Sequence, residues 1–242
     1  MASPAAALDL FTLWQDASAP LAVAPGDRVD YRNVTVEQGR RRTELVRLQC
    51  VADAGDHWVL ELLPLHEGDA GPAPVPGEGW RLELRKSALA SRGGLEEHVG
   101  RVEQWLEGEP RTVDAAEWRQ DPLLQSALAA DFRPESRETR DPTTRVVAGH
   151  DLLCDQVVMV DRDTSRVELP RGVLLQIHTR EISASYQAAV PFLGVVHAAE
   201  RSETRSSVEP AGSRRLPPPR VRVETMELVD FGHDAAPWLG RG

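Results

Sequence analysis

The chain has 242 residues and a formal net charge of −10, which argues against a general nucleic-acid binder, because phosphate backbones are held by basic surfaces. Hydrophobic residues make up 41% of it, enough for one large β domain or two small ones with a modest core. Of its 28 basic residues only Lys86 is a lysine; a GC-rich genome accounts for that bias, and an arginine-lined anion site is the sharper alternative.

Ser3 and Pro4 make a helix start, and Ala7, Leu8, Phe11 and Trp14 recur at helical spacing, which predicts a helix over 1–18 lying on the rest of the protein. From Gly26 the period changes to two. Val29 and Tyr31 alternate with charged residues, and a one-residue slip at Asn33 then brings Val34 and Val36 onto their face. Turn signals at 37–40 and 53–56 separate this strand from one carrying Val46, Leu48 and Cys50 and from another in which Trp58, Leu60 and Leu62 line up. The Pro- and Gly-rich stretch 68–79 reads as a loop, and Trp80, Leu82 and Leu84 follow in strict alternation. Residues 98–106 fit a helix or a strand, and Gly100 favours the strand. These pieces form a first sheet half over 26–106.

Asp114 and Glu117 resemble a capping box, and Asp121-Pro122 precedes an apolar stripe of Leu123, Leu124, Ala127 and Leu128, so 112–132 is expected to be a helical insertion. Residues 133–144 are polar and read as an exposed connector. The second sheet half spans 145–231, with apolar runs at 152–161, 165–169, 173–179 and 190–197, a proline-rich break at 210–219 and a last strand at 221–231. The tail, 232–242, holds Trp238, which is expected to tuck onto the surface. The fold class is therefore mainly β (α+β), a single domain over 1–242 built on one large curved antiparallel sheet, an open half-barrel whose concave face is covered by the N-terminal helix and the helical insertion.

The motifs for chemistry fail one by one. Asp230-Phe231-Gly232 matches the kinase metal-binding triplet but lacks every accompanying kinase signature. His150 and Cys154 sit four apart, which in a strand separates them by about 13 Å, too far for one ion. Asp161-Arg162-Asp163 reads as a hairpin turn rather than a metal pair. There is no G-x-S-x-G, and His57, His66, His98, His178, His197 and His233 are scattered. The expectation is a protein without catalytic residues, bound metal or cofactor. Cys50 and Cys154 are expected to be buried free thiols, with one long-range disulfide as the alternative. The start has no secretory leader and no window is apolar enough to span a bilayer, so the chain reads as soluble, cytoplasmic as written and periplasmic if a leader has been removed. Arg40-Arg41-Arg42, and Arg214, Arg215 and Arg220 around the proline run, are either solvated loop charge or a docking patch for an acidic partner.

Several stretches together resemble one family. Gly149, the strand with Cys154, the paired strands after it, then Ser185 and Val190-Pro191-Phe192-Leu193-Gly194-Val195-Val196 resemble a pattern in bacterial LolA/LolB-like proteins, carriers of lipoproteins. So do the helix bearing Trp14, the strand opening Pro25-Gly26-Asp27-Arg28-Val29-Asp30-Tyr31 and the strand ending Asp56-His57-Trp58-Val59-Leu60-Glu61. The resemblance implies an open half-barrel whose concave face binds an acyl chain or other lipidic ligand. This sequence departs from the pattern in having no leader and no lipidated cysteine near its start. The function expected is non-enzymatic binding of an apolar or lipidic ligand, with Trp58, Leu60, Trp80, Leu82, Val158 and Leu175 in the wall. The alternative is a structural or interaction module of a larger assembly, with a protein partner and no small ligand.

Overall fold

The structure is a computed structural model that describes residue 13 and residues 19–68, 71–89, 98–114, 134–169, 172–209 and 218–240. Among the described residues, twelve antiparallel strands form one sheet. They are β1 (Arg28–Glu37), β2 (Arg40–Asp53), β3 (His57–Gly68), β4 (Gly71–Pro74), β5 (Gly79–Arg85), β6 (Val99–Leu106), β7 (Glu109–Val113), β8 (Ser136–Val147), β9 (His150–Leu169), β10 (Gly172–Tyr186), β11 (Val195–Glu209) and β12 (Arg220–Gly232). The spatial order is β7-β6-β5-β3-β2-β1-β12-β11-β10-β9-β8, with β4 paired to β3 off this path. Two meanders run outward from the middle, and the first and last strands join them: Tyr31 pairs with Leu228 and Asn33 with Met226.

Turn chemistry sets the hairpins. Gln38-Gly39, Glu107-Gly108 and Ala148-Gly149 all have positive φ at both residues, the two-residue turn whose twist matches that of paired strands and whose second position favours glycine. The sheet is rolled but not closed. Three strands separate β8 from β12, about 19 Å in a flat sheet, yet their Cα atoms approach within 8 Å. The open edges are blunted, β7 by Pro110 and β8 by Pro142, by charged residues and by a register break between Arg140 and Thr143.

The core lies mainly on one face, here called the core face. Val29, Tyr31, Cys50, Trp58, Leu60 and Leu84 belong to the same buried cluster as Met159, Ile182, Ala184, Ala198, Met226 and Leu228 from the other half. Leu13 is fully buried in it. The buried Tyr31 hydroxyl donates to the Val195 carbonyl at 3.0 Å, tying the central strand to the start of β11. Before β11, the chain over 187–194 is held by Ala22 and Phe192, which pair at 3.0 and 2.6 Å. Gly194 is required there: its φ is +65°, and a Cβ would stand 2.3 Å from Pro20 Cγ.

Several sequence-based expectations are corrected. Most of the expected connector is strand, since β8 begins at Ser136 and forms an edge; a strand exposed on both faces has no apolar alternation to show. No turn occurs at 161–163: Asp161, Arg162 and Asp163 pair in register with Arg180, Thr179 and His178 in the continuous strand β9. The slip at Asn33 is absent as well. Asn33 pairs regularly with Glu44 and Met226 and is itself buried, which puts Val34 and Val36 on the opposite face; the register shift lies at Asp30/Tyr31, against β12. The 68–79 loop contains β4. Thr112 and Val113, assigned to the helical insertion, are strand residues of β7. The rest of that insertion from 115 onward, the helix over 1–18 apart from Leu13, and Arg214 and Arg215 lie outside the described residues. Residues 98–106, ambiguous in sequence, do form a strand, and the last strand falls where the alternation placed it.

Candidate functional site

The first meander presents continuous rows of apolar side chains on the core face. Trp58 pairs with Leu84, Leu60 with Leu82 and Leu62 with Trp80. On the other side of β3, Leu60 pairs with Cys50, Leu62 with Leu48 and Pro64 with Val46. Residues two apart in a strand share a face, so these side chains form one surface. Burial grades along it. Trp58, Leu60, Leu84 and Cys50 are buried, whereas Val46, Leu48, Leu62, Pro64, Trp80 and Leu82 are only half-buried. The result is an open apolar strip three strands wide, continuous with the core.

The buried end is fixed by polar contacts. The Lys86 ammonium lies 5.6 Å from the Trp58 ring centroid and 2.8 Å from both Asp53 carboxylate oxygens. That hydrogen bond is the main reason the Asp53 carboxyl sits below its usual range. Burial pushes the Cys50 thiol up to about 11, so at neutral pH it is an uncharged wall group rather than a nucleophile.

The opposite face of the same strands is covered by the chain's own tail. Leu63, Trp105 and Leu239 pack together with Trp238. Between them, Glu61 is fully buried. It accepts from Gln49 Nε2 at 2.9 Å, Arg81 at 2.7 Å and the Trp238 backbone N–H at 2.8 Å. Arg81 also lies 5.5 Å from the Trp105 ring centroid. Nearby, Asp30 takes a bidentate contact from Arg47 at 2.7 and 2.7 Å. This face is therefore a closed charge network and the core face is the apolar one. Trp238 does tuck onto the surface, as the sequence suggested.

Four of the six residues expected to line a wall, Trp58, Leu60, Trp80 and Leu82, lie together on the core face. Val158 and Leu175 do not join them. The register puts Val158 opposite Ser183 on β9–β10, and Leu175 on the same side of β10, on the face away from Met159 and Ile182. The sequence reading did not place Val46, Leu48, Leu62 and Pro64 in the wall. Val46 and Leu48 carried the signal, since both follow the alternation of Cys50.

Fold and site together define an open, rolled antiparallel sheet with one apolar face partly uncovered. No family model matches the chain, and no curated protein matches it. Among solved structures, it is similar to one described as "putative outer membrane lipoprotein-sorting protein domain" from Vibrio parahaemolyticus, with 10% identity, 92% of this chain and 91% of that chain covered, and a TM-score of 0.32. Among the described residues, no helix is long and apolar enough to cross a membrane.

Proposed function

We propose that this protein binds an apolar or lipidic ligand, which lies on the core face of the first meander and is held there without chemistry. The observation that carries this reading is the strip Val46, Leu48, Leu62, Pro64, Trp80 and Leu82, six half-buried apolar residues contiguous with the buried core. Apolar surface left in contact with water costs about 25 cal/mol per Å², and a contiguous, partly uncovered apolar strip of this kind suits a binding surface. Trp58 and Leu60 form the floor of the site. The ligand's chain runs across β2, β3 and β5, where a single rung offers Leu48, Leu62 and Trp80. The lipoprotein-carrier resemblance noted in the sequence agrees with such a ligand.

The test is titration of the delipidated protein with the apolar dye 1-N-phenylnaphthylamine, alongside native mass spectrometry of freshly purified protein. Wild type is expected to give saturable fluorescence, and Leu62→Asp to weaken it by about tenfold or more, the loss of 1.4 kcal/mol or above. A dye that does not bind, or binds the variant as it binds wild type, overturns the reading.

A further inference from the structure

Among the described residues, the half-buried arginines follow a rule with one exception. Arg28 pairs with Asp230 at 2.7 Å, Arg47 with Asp30 at 2.7 Å, Arg81 with Glu61 at 2.7 Å, Arg180 with Glu200 at 2.8 Å, Arg222 with Glu224 at short range, and Arg32 with Glu67 at 3.9 Å. Arg145, also half-buried, has no carboxylate within salt-bridge distance among the described residues. Its one hydrogen bond there runs from Nε to the Ser185 hydroxyl at 3.2 Å. The two terminal nitrogens of its guanidinium fork are left to solvent or to a ligand.

Its hydrogen-bond partner Ser185 stands in a row of polar side chains. Gln156 pairs with Ser185, Ser185 with His197 and His197 with Glu227, so the four stand on a single rung crossing β9, β10, β11 and β12 on one face. Arg145, on β8 opposite Leu152, reaches over β9 to that rung. Ser185 is buried, and Gln156 and His197 are half-buried. Neither Gln156 nor His197 has a side-chain hydrogen bond among the described residues. Burial first, and the Arg145 charge second, hold the His197 imidazole below its usual range, with Glu227 opposing. A neutral imidazole can donate one N–H.

We propose that Arg145, Gln156, Ser185 and His197 form a binding site for a monoanionic oxyanion, such as a carboxylate. The guanidinium fork is the group best shaped to hold two oxygens of one anion, and the Gln156 amide and His197 ring supply further donors at its side. Glu227, exposed at the end of the rung, repels a second negative charge and selects a monoanion. The site is separate from the apolar strip of the first meander, since its rung belongs to β9–β12. It stands whether or not that strip binds a ligand.

The experiment follows the His197 ring resonances by NMR at constant ionic strength, titrating with acetate, inorganic phosphate and decanoate in turn. Wild type is expected to shift saturably with acetate and decanoate, and more weakly with phosphate, whose dianion meets Glu227. Decanoate binding far above acetate identifies the anion as the headgroup of an amphiphile; equal binding identifies a free anion. Arg145→Gln is expected to weaken binding about ten- to hundredfold, the worth of a charge-assisted hydrogen bond. Gln156→Glu, which offers Arg145 an internal carboxylate and keeps its side chain engaged, is expected to abolish binding and covers the case in which the first variant misfolds. A His197 signal indifferent to all three probes, or equally responsive in both variants, overturns the site. Phosphate binding tighter than acetate overturns its selection for a monoanion. Leu62→Asp is expected to leave the His197 response to acetate intact, so failure of this site and failure of the apolar strip are separable.

Discussion

The carboxylate of Glu61 accepts the backbone N–H of Trp238 at 2.8 Å across 177 positions of sequence. The Leu239 N–H approaches the second oxygen at 3.3 Å, and Arg81 joins the tail from the other side through the Leu239 carbonyl at 2.5 Å. A charge with no exposed surface is tolerable only when its lone pairs are filled. Here the last residues of the chain help to fill them, so the tail is part of the fold rather than an appendage.

Replacing Glu61 with leucine strips the Arg81 guanidinium of its carboxylate, leaving it and the Gln49 amide only the backbone carbonyls of Leu239 and Ala236, and frees the tail's N–H groups. Breaking one side of a buried ion pair costs about 3–5 kcal/mol. Glu61→Leu is therefore expected to lower the urea midpoint strongly and to make the chain near Trp238 sensitive to protease under native conditions. An unchanged midpoint would show that the tail contributes nothing to stability.

How much of this was legible beforehand depends on what each residue's neighbours had to do. Trp80 to Arg85 alternates strictly because one side meets the core and the other meets the charge network, and such a strand reads correctly from sequence. Glu61 looked like one more solvent-side charge between leucines; the tail that buries it is remote in sequence, and no local pattern reports it. Asn33 imitated a bulge because a polar residue stood where the core face called for an apolar one. Residues 162–168 are exposed in β9, so charge replaced alternation there and Asp161-Arg162-Asp163 passed for a turn. The open strip itself was half legible: Trp58, Leu60, Trp80 and Leu82 came from periodicity, but placing Val158 and Leu175 required the register.

The two cysteines test burial directly. Cys50 and Cys154 are both fully buried and free. Burial raises both thiols, Cys50 to about 11, and only the thiolate attacks a disulfide reagent. Native protein at pH 8 is expected to react with 5,5′-dithiobis(2-nitrobenzoate) far more slowly than a model thiol, and both residues are expected to react at once in urea. No reaction in urea would reveal a disulfide between them.

His197 gives the stability a pH dependence with a definite sign. Its imidazole is held below the ordinary value of 6.5 by burial and by Arg145, with Glu227 opposing, while Gln156, Ser185 and Cys154 on the neighbouring strands carry no charge at neutral pH. The unfolded chain therefore binds this proton before the folded one does, and stability falls as pH drops below about 6.5. The carboxyl groups of Asp53, Asp56, Glu203 and Asp234, all held low chiefly by side-chain hydrogen bonds with Lys86, His57, Arg205 and Arg28 respectively, act only in more acid solution. Denaturation between pH 5 and 7 is expected to show a slope in wild type that His197→Gln flattens, at most about 1.4 kcal/mol per pH unit for one proton. Equal slopes in the two proteins would remove His197 from the account.

Asn33 offers the opposite kind of change. It is 5% exposed on the core face, paired with Met226 and Glu44, and its Oδ1 is buried without a hydrogen-bond partner. A buried acceptor left unpaired costs about 1–3 kcal/mol, and a β-branched residue suits a central strand. Asn33→Val is expected to raise the urea midpoint, by about 1 kcal/mol or more in unfolding free energy. Tyr31, its neighbour on the same face, stands opposite Val46 at the near edge of the open strip, so the variant also asks why an unsatisfied amide stays there. If the valine protein gains stability and binds the apolar dye as wild type does, Asn33 is only a cost to the fold. If it gains stability and loses dye affinity, the Oδ1 serves the ligand. A loss of stability would mean that the acceptor is satisfied in solution, and that the register of β1 against β12 depends on it.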